Sequence, residues 1–255
     1  MSTSPVFCLP IQTPIFNDKV KLVPFEADIH SYSFVSQTQS CPELFAYMPS
    51  GYFDSVDEFN ALITQPGNTL SYTNPGTFLF AIIDLTREHS AEDEEGELAG
   101  IVGYLNTSKR NQFAEIGPVI VLPKYQQTHV ASNAVGLLMR TAYAPPEEGG
   151  LGLVRTEWMC NAANVPSMKV AERMGYQKVG VIPYHMKFPL GRTKGKVGNA
   201  KALPPGSDPD DVWRDTVIYS LSWDVWKAEA RSKVEKAMAR GNQSATFSPS
   251  ISTKG

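Results

Sequence analysis

A chain of 255 residues with 42% hydrophobic content can bury one substantial core and at most a small appendage. Its net charge of −3 and pI of about 5.8 supply no overall basic field for a nucleic-acid backbone. The three cysteines, Cys8, Cys41 and Cys160, lack the paired spacing of a zinc site or disulfide framework, and no apolar run has membrane-spanning length, so a metal-free, soluble, cytoplasmic protein is expected.

After an N-terminal extension (1–18), KVKLVPF (19–25) has strand composition. Residues 26–39 predict a short helix with apolar positions at Ile29, Tyr32, Phe34 and Val35. CPELFAYMPSGYF (41–53) is turn-rich and aromatic, and Phe45, Tyr47, Tyr52 and Phe53 suit either a pocket wall or the core. In SVDEFNALITQ (55–65), Ser55 and Glu58 have capping-box spacing and mark a helix start. TFLFAIIDL (77–85) is a near-continuous apolar run, the mark of a buried strand. EHSAEDEEGE (88–97) carries six acids without a metal-ligand template and predicts a solvated hairpin loop.

Two more strands follow, ELAGIVGYLN (97–106) and QFAEIGPVIVL (112–122). The second is interrupted at Gly117-Pro118; proline cannot donate to a ladder, which predicts a bulge or splayed edge. A long helix then begins in YQQTHVASNA (125–134), whose polar first turn holds no carboxylate. Because unpaired N–H groups and the macrodipole make a helix N-terminus attractive to anions, this start suits a phosphate as well as it suits an ordinary cap. LVRTEWMCN (153–161) is a fifth strand, and VPSMKVAERMGY (165–176) a helix capped by Gly175. VGVIPYHMKF (179–188) and RDTVIYSLSW (214–223) are the last two strands, separated by a Gly-, Pro- and charge-rich insertion at 193–212. Residues 228–255 predict a helix and then, from Asn242, a disordered Ser/Thr-rich tail.

The order is that of a mixed α/β fold. LFAYMPSGYFDSVDEFNALI, AEIGPVIVLPKYQQTHVASNA, RTEWMCNAANVPSMKVAERMGY and the closing GR (191–192) and RDTVIYS (214–220) together resemble the GNAT superfamily of acetyl-CoA-dependent acetyltransferases. The branch they resemble is that of the ribosomal-protein N-terminal acetyltransferases (RimJ/RimL type), over residues 19–227. The resemblance implies a central mixed, mostly antiparallel sheet, splayed between the fourth and fifth of these strands and flanked by helices.

The resemblance also implies site roles. In the family the long helix starts at a Q/R-x-x-G-x-G/A loop whose N–H groups bind the coenzyme A pyrophosphate; Gln126 takes the Gln/Arg place, His129 the first Gly place and Ala131 the Gly/Ala place. Gln127, Thr128, Val130 and Ser132 complete the set of donors. Val119, Ile120 and Val121, freed by the splay, would pair with pantetheine amides, and Asn164 would hold the same arm. Ser167 would reach the leaving thiolate, although Asn164 and Ser167 are equally good N-capping residues. Glu115, just before the break, is the candidate general base, unless it pairs with Arg155 or Lys109. Cys160 reads as a small buried hydrophobe before it reads as a nucleophile, and Arg214-Asp215-Thr216 as a structural salt-bridge and turn element. The implied activity is acetyl transfer to a small-molecule amine, with a peptide or ribosomal-protein N-terminus as the alternative acceptor. A silent protein that binds coenzyme A or a metabolite is the alternative from another class.

Overall fold

The computed structural model describes residues 6–189 and 191–240. The tail expected beyond Asn242 lies outside the described residues. One mixed sheet organises the chain. Its path begins with β1 (Ile15–Phe16), β2 (Val20–Pro24), β3 (Phe78–Asp84), β4 (Glu97–Ser108) and β5 (Phe113–Ile116), and ends with β7 (Arg155–Asn161), β9 (Trp213–Ser222) and β8 (Gln177–Lys187). A two-residue strand, β6 (Ile120–Val121), pairs with β4. The β5–β7 pair is parallel and the remaining pairs are antiparallel. All seven residues of β3 are buried, as its apolar run requires of a strand covered on both faces.

The helices are α1 (Ala27–Gln39), α2 (Val56–Thr64), α3 (Val130–Tyr143), α4 (Val165–Arg173), a short α5 (Trp223–Val225) and α6 (Arg231–Ala239), the last two joined by a π-helical turn, Trp226–Ala230. Ser55 Oγ accepts the Glu58 N–H (3.2 Å) while the Glu58 carboxylate accepts the Asp54 N–H (2.9 Å), so the capping box closes one residue further out than its ideal form. α1 buries two of the four apolar positions expected, Phe34 and Val35, and not the other two. Ile29 and Tyr32 are exposed, and the buried stripe is His30, Ser31, Phe34, Val35 and Thr38. Two polar members of that stripe find local partners: His30 Nδ1 meets the Glu26 N–H at 2.9 Å and Thr38 Oγ1 donates to the Phe34 carbonyl at 3.0 Å, whereas the buried Ser31 hydroxyl has no partner among the described residues.

The N-terminal segment adds an edge strand, with Ile15 opposite Leu22, and sets the Phe7 ring 5.5 Å from that of Phe78. At the other end Trp226 stacks on Tyr143 at 4.9 Å and α6 lies against α3. The approach is close at Gly136, where a Cβ would stand 2.4 Å from Met238 Sδ. That contact explains a glycine in mid-helix, a place where it is otherwise unfavourable.

The break at Gly117-Pro118 positions the site. Up to Glu115, β5 pairs with β4 on one side and with Glu157 of β7 on the other. After the break β6 returns to β4 alone, through Gly100↔Val121 and Ile101↔Ile120. The return needs Gly100, with φ of +155° and a Cβ position only 2.2 Å from the Ile120 carbonyl oxygen. Past Glu115 and Glu157 the sheet therefore opens as a V.

Candidate active site

A cleft of about 750 Å³ occupies this opening. Glu115 to Val119 line one side, Trp158 to Asn161 and the start of α4 the other, and residues between Leu44 and Phe53 form an outer wall.

Glu115 faces this cleft, 8% exposed, and its Oε2 accepts a hydrogen bond from Asn106 Nδ2 at 2.7 Å. Neither of its possible cation partners reaches it as an ion pair, since Arg155 pairs with Glu157 at 2.8 Å and Lys109 forms no salt bridge among the described residues. Burial raises its pKa, and the Glu157 charge adds to this, against the opposing hydrogen bond of Asn106 and the charge of Arg214. A buried carboxylate with a raised pKa, open to a cleft, is suited to taking a proton from an amine.

Asn164 caps α4, its side-chain oxygen accepting the Ser167 N–H at 3.1 Å, and both residues line the cleft. Ser167 Oγ accepts the Trp158 indole N–H at 3.0 Å. The hydroxyl accepts there through one of its two lone pairs and still has its proton to donate, with Cys160 in reach as an acceptor. Cys160 also lines the cleft, but burial raises its pKa, the reverse of what a thiolate nucleophile needs.

At the start of α3 the structure separates side-chain from backbone roles. His129 is the N-cap, with φ of −67° and ψ of −19°, ordinary right-handed geometry that calls for no glycine. Its buried ring meets Asp84 Oδ1 through Nε2 at 3.0 Å, tying the loop to the end of β3. Burial opposes ionisation of Asp84, but hydrogen bonds from His129 and Thr86 hold its pKa below the usual value. Gln127 carries the left-handed backbone, φ +60°. Three of the expected contacts need correcting. The Gln126 N–H is taken by the Pro123 carbonyl (3.3 Å), and the Gln126 side chain occupies the Val121 carbonyl (3.2 Å). The Val130 N–H is taken by Thr128 Oγ1 (3.3 Å). Backbone donors of Gln127, Thr128, Ala131 and Ser132 remain at a helix end whose first turn has no acidic residue. This end and the open edge beside Val119 and Ile120 fit a pyrophosphate joined to an amide-bearing arm.

Of the four aromatic residues, Tyr47 and Phe53 line the cleft. Phe45 does not: it is 1% exposed and packs edge-on against Phe53 at 5.4 Å, because the short 3-10 turn Pro42–Phe45 rolls its ring inward. Tyr52 is half-buried and lies off the lining. Behind this wall sits the 193–212 insertion. Lys196 Nζ donates to the carbonyls of Phe45 (2.9 Å), Met48 (2.9 Å) and Ser50 (3.2 Å), with Gly51 also in reach, and Val197 N–H donates to the Ala46 carbonyl (2.8 Å). No residue of 193–212 lines the cleft, so the insertion braces the wall from outside.

The charged triplet also divides. Asp215 is structural, held at a pKa of about 2 against its partial burial by Lys201, Asn199 and the Tyr184 N–H. Arg214 instead turns into the cleft, a placement that the sequence reading missed. Its signal was faint: a basic residue at the start of a closing strand, one step from an acid that takes the salt bridge.

Comparisons with known proteins show the family and the fold. The family model described as "Acetyltransferase (GNAT) domain" matches residues 19–177. No curated protein matches the sequence. Among solved structures, a GCN5-related N-acetyltransferase from Brucella melitensis aligns with a TM-score of 0.67 at 22% identity, over 93% of this chain and 90% of that one. RimJ from Mycobacterium smegmatis, solved with CoA-disulfide, aligns at 0.59 and 16% over 89% and 97%. A Vibrio cholerae spermidine N-acetyltransferase, solved with CoA and spermine, aligns at 0.56 and 13% over 83% and 99%.

Proposed function

The chain belongs to the GNAT acetyltransferase family, and on that premise we propose that it transfers an acetyl group from acetyl-CoA to the primary amine of a small molecule seated beside Glu115. The coenzyme, when bound, supplies the acyl group as a thioester. The backbone donors of Gln127, Thr128, Ala131 and Ser132 would hold its pyrophosphate, and the open edge at Val119 and Ile120 would align its arm, with Asn164 opposite. Glu115 takes the proton that the amine must lose, directly or through a water, and the Ser167 hydroxyl offers one to the departing sulfur. The observation that carries this reading is the buried Glu115 carboxylate, without a salt bridge among the described residues, at the apex of the splay.

Acetyl-CoA is expected to raise the melting temperature, because a ligand that binds only the native state stabilises it by mass action. No shift at millimolar coenzyme would remove the transferase reading.

A small acceptor is favoured over a peptide N-terminus by the braced wall. Lys196 holds the carbonyls of residues 45–51 in place, and burial together with Arg192 pulls its pKa down to about 8. Replacing Lys196 with Met should loosen the wall. The KM for a small amine should then rise about three- to tenfold, with acetyl-CoA affinity unchanged, since positioning contacts are lost only on the acceptor side. Unchanged acceptor kinetics in this variant would favour a peptide acceptor.

A further inference from the structure

Arg214 carries the strongest charge signal in the cleft that the proposed chemistry leaves unused. It is 7% exposed and lines the cleft, yet it forms no ion pair among the described residues. Nearby carboxylates are committed elsewhere: Glu157 to Arg155, Glu58 to Arg192 and Asp215 to Lys201. Its Nε donates to Thr216 Oγ1 at 3.0 Å and one terminal nitrogen donates to the Tyr47 carbonyl at 3.1 Å. Both partners are neutral. A guanidinium kept almost wholly out of water, with only neutral acceptors, has unspent capacity for an anion.

The contacts of Arg214 also tie in a second polar side chain of the cleft. Arginine can only donate, so Thr216 Oγ1 accepts from Arg214, and the same hydroxyl is hydrogen-bonded to His185 Nδ1, 2.9 Å away. This exposed side chain lines the same cleft, and in the tautomer that accepts from Thr216 its Nε2–H is a donor there. Glu115 and Arg214 are both buried and line the same cleft without forming a salt bridge, so one cleft presents a carboxylate and a guanidinium.

We propose that the acceptor is an amino-carboxylate, its amine facing Glu115 and its carboxylate received by Arg214 with help from His185. The proposal rests on the acetyltransferase reading of this cleft and narrows its substrate class. It also sets the chain apart from a polyamine acetyltransferase, because a second cationic group on the acceptor would meet Arg214 as a like charge.

The test uses matched pairs that differ by one carboxylate: lysine and cadaverine, tyrosine and tyramine, histidine and histamine. Thiol release from acetyl-CoA by the wild-type protein should show a kcat/KM about 30- to 100-fold higher for the carboxylate-bearing member of at least one pair, the range expected for a desolvated charge-assisted contact. In Arg214→Gln that preference should collapse, while the coenzyme-induced rise in melting temperature persists. Arg214→Lys, which keeps the charge but loses the planar fork, should fall between them. The wild-type comparison stands even if the variants fold poorly. If acetyl-CoA gives no thermal shift, the transferase reading fails by itself, and stabilisation of the protein by the same amino acids without coenzyme still reports on Arg214. Equal or better use of the decarboxylated members, acetylation of none of the six, or a preference that survives Arg214→Gln would each overturn the assignment.

Discussion

Replacing Glu115 with glutamine is expected to lower turnover by roughly 10²–10⁴ with acetyl-CoA affinity unchanged, the range usual for losing general-base assistance. Glutamine preserves shape and still offers an oxygen to Asn106 Nδ2, so the bond at 2.7 Å survives. The pH dependence follows from the raised pKa of Glu115, which burial sets first. A base must be ionised, so the wild-type rate climbs with pH through a limb above the ordinary carboxylate range. The variant should lose that limb, its residual rate following the fraction of amine already deprotonated. Stability should move the other way. A carboxyl whose folded pKa lies above its unfolded value loses stability as pH rises between the two, and at neutral pH its charged form is a net cost to the fold. Glu115→Gln removes that cost and should melt at the same temperature or higher. Steady-state kinetics from pH 5 to 10 with parallel melts decide the matter: normal turnover at neutral pH would assign the proton transfer to another group or to water alone.

The parts legible from sequence are those that local chemistry specifies. An unbroken apolar run can only be a covered strand, as in Phe78–Asp84, and a proline that cannot donate must interrupt pairing, as at Gly117-Pro118. The serine cap of α2 and the acid-free start of α3 are likewise local. What escaped depended on groups distant in sequence or on polar atoms satisfied out of sight. The inner face of α1 was misread because His30 and Thr38 bury themselves through local hydrogen bonds, which a hydrophobic periodicity does not register. Ile15–Phe16 is too short to announce itself and exists because Lys21 and Leu22 stand opposite. Lys196 acts on carbonyls as far as 151 residues away, and nothing in its own surroundings marks it as a brace. Arg214 and Asp215 are adjacent and opposite in charge, so they read as one salt-bridge element; strand alternation sends them to opposite faces, one into the cleft and one to Lys201.

Placing an aspartate at Ala131 should weaken acetyl-CoA binding strongly while leaving the fold intact, and the two effects have opposite signs for a physical reason. Ala131 is the second residue of α3, half-buried, in a first turn with no acidic side chain. For the free protein a carboxylate there complements the helix dipole, a gain of about 0.3–1 kcal/mol. For a pyrophosphate held by the same turn, it adds a like charge at about 5 Å. With an effective dielectric constant of about 20, that repulsion costs roughly 3 kcal/mol per phosphate charge. Even half of one such term makes binding about tenfold weaker, and the full term more than a hundredfold weaker. Ala131→Asn serves as the neutral control: it adds nearly the same volume and should bind close to wild type. Added salt should recover part of the aspartate loss, since Gln126 and Gln127 beside it are exposed to solvent and the repulsion is screened. Calorimetric titration of acetyl-CoA into the three proteins, with melting curves alongside, separates the contributions. If Asp and Asn at position 131 bind the coenzyme equally well, the pyrophosphate does not sit at this helix end, and the assignment of residues 126–132 to its binding must be abandoned.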